Sequence, residues 1–136
     1  MNTPYPTRAE LGLKILLAED TLATQRLLTH LLKRLGCEVQ VAEHGQLALD
    51  LFDADPTSFD LVLMDMKMPV MDGFEATRRL RERYPDQPIL ALTALDQEMQ
   101  QRCRDAGCNN FLLKPVDRQQ LYDVLVKYSH PDGELG

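Results

Sequence analysis

Four short apolar runs in this sequence each break off at a residue that can carry charge or donate a hydrogen bond. KILLA runs into Glu19-Asp20, LVLM into Asp65, ILAL into Thr93 and FLL into Lys114. Three carboxylates, a hydroxyl and an ammonium have a definite chemistry once they are brought together. Clustered carboxylates repel one another, and burial sharpens the repulsion. One lysine offsets part of that charge, and a hard divalent cation is the natural supplement. Mg²⁺ takes oxygen ligands, keeps several waters and usually binds through one or two carboxylates plus phosphate oxygens. Thr93 and Lys114 suit the phosphate of such a site as donors. Each residue alone has a plainer role. Asp20 or Thr21 can cap a helix, Thr93 fits a strand as a β-branched residue, and Lys114 can end a strand in solvent. All four strand ends together, with complementary chemistry, are hard to attribute to capping.

The elements that must position these residues follow from apolar spacing. Residues 14–18 read as a buried strand, and 21–35 as a helix with Leu28, Leu31, Leu32 and Leu35 on one face and Gly36 at its end. CEVQVA, 37–42, alternates apolar and polar residues as a half-exposed edge strand does. A second helix covers 46–52, and a third strand 59–64 is continuously apolar after Asp60, so it is expected at the centre. Helix 73–83, strand 89–93, helix 96–106, strand 110–113 and helix 117–128 complete five strand–helix units. Strict alternation implies a parallel sheet with helices on both faces. An edge position for the second strand, with the first and third buried, fits the doubly wound order 2-1-3-4-5 of flavodoxin-like folds. Its ligand site lies at the carboxyl ends of strands one and three. The organisation read from this is a flexible leader over 1–12, one domain over 13–128, and a tail or linker over 129–136.

A chain of 136 residues with 44% apolar and 26% charged residues can bury one core of ordinary size. A net charge of −6 argues against direct nucleic-acid binding. The basic cluster Arg78, Arg79, Arg81 and Arg83, with Glu82 among them, reads as a solvated helix face. No run is long enough for a membrane span, and the first dozen residues lack the apolar stretch of a signal peptide. A cytoplasmic location is therefore expected. Cys37, Cys103 and Cys108 form no C-x-x-C pair and read as buried or incidental thiols. His30, His44 and His130 share no ligand spacing. Met64, Met66, Met68 and Met71 are expected to pack the strand and loop, since the surrounding ligands are hard oxygens.

LLAEDT, LVLMDMKMPVMDG, LALTA and FLLKPV, in that order, resemble the receiver domain of two-component response regulators over roughly residues 13–128. The resemblance implies that Asp65 accepts a phosphoryl group from a phosphohistidine on a histidine kinase or histidine phosphotransfer protein. It implies Mg²⁺ bound by Asp20, Asp65 and the backbone carbonyl of Lys67, with Glu19 acting through a water. Lys114 would hold the carboxylate and then a phosphoryl oxygen, and Lys114-Pro115 would be a cis peptide. Thr93 would swing to the phosphoryl group, Phe111 would follow it, and the surface of helix four, strand five and helix five would change. Ala94 would leave the entrance open, while Lys67 and Leu95 would flank the water that hydrolyses the acyl phosphate. Such a domain is a signalling phosphoacceptor rather than an enzyme. It works as a single-domain regulator on a downstream protein, or inside a longer hybrid kinase chain with an output of its own. Asp72 reads as turn chemistry before helix three.

Two other proteins use similar parts. A haloacid-dehalogenase-like phosphatase also has a strand-end aspartate with Mg²⁺, a threonine and a lysine, but needs a second acid two residues on, where Lys67 stands. A flavodoxin-like cofactor binder needs a hydroxyl-rich phosphate loop after strand one, where Glu19-Asp20 would repel the phosphate.

Overall fold

The structure is a computed structural model that describes residues 11–94 and 96–129. Five strands, β1 (Lys14–Ala18), β2 (Glu38–Ala42), β3 (Leu61–Asp65), β4 (Ile89–Thr93) and β5 (Asn110–Leu113), alternate with five helices. The helices are α1 (Leu22–Arg34), α2 (Gly45–Ala54), α3 (Gly73–Arg83), α4 (Gln97–Ala106) and α5 (Arg118–Ser129). The strands form one parallel sheet in the order β2-β1-β3-β4-β5, as the alternation of elements predicts. Every residue of β3 and β4 is buried, which explains their unbroken apolar runs. In β2, Glu38 and Gln40 are exposed while Val39 and Val41 turn inward, the pattern of an edge.

Two apolar cores flank the sheet. One lies between the sheet and α2, α3 and α4, with Leu49, Phe52, Phe74, Leu80 and Cys103 at its centre. The other lies under α1 and α5, with Leu28, Leu32, Leu121 and Leu125. In α3, Phe74, Thr77 and Leu80 point inward as their spacing predicts. Among the described residues the three cysteines are free thiols, and no helix is long and apolar enough to cross a membrane.

Several boundaries and roles differ from those read in the sequence; β2 begins at Glu38 rather than 37, and α2 runs Gly45–Ala54 rather than 46–52. β3 takes in Asp65, because Val62 through Asp65 pair with β4, and leaves out Phe59 and Asp60. Leu11, assigned to the leader, is buried, and its N–H donates to the Leu35 carbonyl. Ser129, assigned to the tail, closes α5. Arg78 and Arg79 pair with Glu75 on an exposed face, as expected, and Arg83 pairs with Asp53. Arg81 does not join that face. Its guanidinium donates to the carbonyls of Gly107 (2.7 and 3.1 Å) and Gln87 (2.7 Å) and to Asn109 Oδ1 (2.8 Å), tying α3 to the ends of α4 and β4.

Candidate phosphoacceptor site

The switch in strand order between β1 and β3 leaves a crevice at their carboxyl ends, and the acids meet there. Asp65 closes β3 with 4% of its surface exposed. Glu19 follows β1 and is 1% exposed, while Asp20 beside it faces solvent. One carboxylate oxygen from each of Glu19, Asp20 and Asp65 lies within 4.8 Å of the others. Lys114, just past β5, reaches across with Nζ 3.0 Å from Asp65 Oδ1 and 3.4 Å from Glu19 Oε1. The other Glu19 oxygen accepts from the Thr21 N–H at 3.1 Å, and Asp65 Oδ1 accepts from the Lys67 N–H at 3.4 Å.

These contacts set the charge states. Burial pushes the Glu19 carboxyl above its ordinary value, the Thr21 N–H pulls it back, the Asp65 charge raises it further, and Lys114 lowers it. For Lys114, burial favours the neutral amine. The hydrogen bond and charge of Asp65, followed by Glu19, outweigh that and raise its pKa, so the ammonium persists at neutral pH. One ammonium against three acids leaves a site short of positive charge and rich in hard oxygen donors, which fits Mg²⁺.

The remaining wall offers hydrogen-bond donors. Thr93 ends β4 at 4% exposure, and its Oγ1 is buried without a hydrogen-bond partner. The Cys103 thiol comes near it without meeting hydrogen-bond geometry. An orphaned hydroxyl costs free energy unless something accepts from it. Thr93 opens on the same cavity of about 240 Å³ as Asp65, Lys67, Ala94 and Lys114. A phosphoryl group there would sit among a hydroxyl, an ammonium and the Asp65 carboxylate.

The other expected residues are placed as follows. Ala94 is exposed at the cavity, and the Lys67 side chain faces solvent. Phe111 is half-buried in β5. It pairs in register with Ala91, two residues before Thr93, so Phe111 and Thr93 share the sheet face that meets α4. Leu95 lies outside the described residues. Lys114-Pro115 is cis. Asp72 is an N-cap, its Oδ1 accepting from the Glu75 N–H at 2.9 Å.

Two supports were not anticipated. A Cβ on Gly73 would lie 2.2 Å from the Asp65 carbonyl oxygen and 2.7 Å from Met66 Cα, so α3 can start this close to Asp65 only with glycine. The Gly45 N–H donates to the Met71 carbonyl at 3.1 Å, anchoring the loop after Asp65 to the start of α2. The DG dipeptide signals the first; the second joins distant residues and leaves no local pattern. The His44 side chain also has a role unseen in the sequence: Nδ1 caps α2 by accepting from the Leu47 N–H.

Residues 15–126 match the family model for the response regulator receiver domain. Probable histidine kinase 2 of Oryza sativa subsp. indica is 37% identical over 131 residues, covering 84% of this chain and 12% of that protein. Two-component response regulator 24 of Arabidopsis thaliana is 36% identical over 123 residues, covering 90% of this chain and 88% of that protein. Among solved structures, the receiver domain of a sensor histidine kinase from Pseudomonas aeruginosa PAO1, described with a magnesium ion coordinated in its active site cleft, superposes with a TM-score of 0.80 at 35% identity. That match covers 87% of this chain and 98% of the other. The chain spans only 5–14% of the histidine kinases it resembles.

Proposed function

This chain belongs to the response regulator receiver domain family of two-component systems, and from that premise we propose that Asp65 is its phosphoryl acceptor. A carboxylate oxygen of Asp65 attacks the phosphorus of a phosphohistidine on a histidine kinase or histidine phosphotransfer protein. The P–N bond breaks, the imidazole leaves and takes up a proton, and Asp65 carries an acyl phosphate. Lys114 holds Asp65 in place and then pairs with a phosphoryl oxygen. Thr93 donates its unpartnered hydroxyl to another. Asp20, Asp65 and the Lys67 carbonyl would hold Mg²⁺, with Glu19 acting through a water. When bound, the ion neutralises charge on the transferring group.

The observation that carries this reading is the pairing of a lysine-held aspartate with a buried, unpartnered threonine hydroxyl on one small cavity. Phe111, on the same sheet face as Thr93, passes the change to the surface of α4, β5 and α5. The domain on this reading turns over no external substrate. The phosphatase and flavodoxin-like alternatives find no support among the relatives. NMR spectra with beryllofluoride and Mg²⁺ test the assignment: wild type should shift at Asp65, Thr93 and along α4, and Asp65→Ala should stay silent. A response that survives Asp65→Ala, or an unresponsive wild type, refutes it.

A further inference from the structure

We infer that Met99 is a lifetime-determining residue of this site, its side chain walling the acceptor cavity against the water that would hydrolyse the acyl phosphate. The inference rests on Asp65 being the acceptor. Met99 is the only α4 side chain that lines the cavity of Asp65, Thr93 and Lys114. Its direction is set by the helix. Cys103, one turn on, and Ala106 are buried on the same face, while most of α4 is polar and exposed. Asp96 caps the helix by accepting from the N–H groups of Glu98 (2.9 Å) and Met99 (3.2 Å), fixing the turn that carries the side chain.

Burial places Met99 at the border between cavity and solvent. Met66, the other methionine on the cavity, is 2% exposed and belongs to the core. Met99 is half-buried and packs on the edge of that core with Phe111. Among the described residues at the opening, Ala94 is small and Lys67 is exposed to solvent. Hydrolysis requires a water oxygen to attack phosphorus as the bond from phosphorus to the Asp65 oxygen breaks. The carboxylate is regenerated, inorganic phosphate leaves, and the attacking water loses a proton to solvent. A thioether has no donor and accepts weakly, so a water passing Met99 exchanges good hydrogen bonds for none. The helix also links this barrier to the rest of the domain, because α4 cannot shift without moving Met99.

The test is decay of protein loaded with radiolabelled acetyl phosphate and then freed of donor, for wild type, Met99→Ala, Met99→Gln and Met99→Leu. Met99→Ala should lose label at least about fivefold faster, a barrier change of ~1 kcal/mol. Met99→Gln, similar in length but able to hydrogen-bond water, should also be faster. Met99→Leu should stay within about twofold of wild type by the same measure. A merely structural role would not separate Gln from Leu in this way. If Met99→Ala does not load, the Gln–Leu pair decides: Gln faster than Leu upholds the barrier, and equal rates overturn it. Decay of Ala and Gln within about twofold of wild type, or of Leu as fast as Ala, also overturns it. A wild type that never loads removes the acceptor reading itself and this inference with it.

Discussion

Replacing Lys114 by methionine isolates the electrostatic problem at the centre of this site. The variant keeps an unbranched stem but leaves Glu19 and Asp65 without their shared ammonium, at side-chain exposures of 1% and 5%. Removing one partner of a fully buried pair costs about 3–5 kcal/mol. The Lys114 side chain is 36% exposed, so solvent already screens part of the interaction. Discounting for that gives a loss of ~2 kcal/mol in unfolding free energy at neutral pH, or ~8 °C in Tm for a domain of this size. The pH dependence has a definite sign. Glu19 titrates above its ordinary value of 4.5 in the folded protein. Stability from its protonated form is therefore complete below 4.5 and is lost as pH rises through the raised value. Lys114 holds that value down, so its removal deepens the loss at neutral pH and matters less where Glu19 is protonated. Mg²⁺ should do chemically what the ammonium did, narrowing the gap between variant and wild type. Urea melts at neutral and acid pH, with and without Mg²⁺, measure all three effects. A metal-free variant within about 0.5 kcal/mol of wild type at neutral pH, or a gap that persists unchanged in acid, would refute the charge argument.

Two further substitutions probe the scaffold. Gly73→Ala should cost ~2–3 kcal/mol and weaken Mg²⁺ binding, because its Cβ meets backbone of Asp65 and Met66 rather than a side chain that can turn away; an unchanged melt and Mg²⁺ titration would contradict this. Arg81→Ala should cost ~2–3 kcal/mol by leaving the carbonyls of Gly107 and Gln87 without their donor. Arg81→Lys should recover less than half in thermal melts, since one ammonium cannot span that set of acceptors.

The sheet order and the acidic cluster were legible because each rests on a local signal that burial enforces. β3 and β4 are apolar throughout because both faces are covered, and β2 alternates because one face is not. The strand-end residues stand out because charge at the end of a greasy run is costly without a purpose. Less legible were features made by distant backbone. Arg81 looked like a member of an exposed basic face, and nothing in its neighbourhood announces the carbonyls it gathers from beyond α4. Met99 sits on a helix whose composition reads as polar surface, and only the packing of Cys103 and Ala106 shows which side is inward. His44 acts as a cap through Nδ1, a role its spacing from the other histidines could not reveal.

The sheet also divides the buried core into two clusters of side chains. Thr93, Met99 and Phe111 belong with α2, α3 and α4, while the leucines of α1 and α5 fill the opposite side. Both sides nonetheless reach the site: Gln25 of α1 donates to the Glu19 carbonyl at 2.7 Å, and Gln120 of α5 bonds the backbone of Leu113 beside Lys114. The strand ends are thus held from both layers, and a shift of either layer moves backbone that positions Glu19 or Lys114.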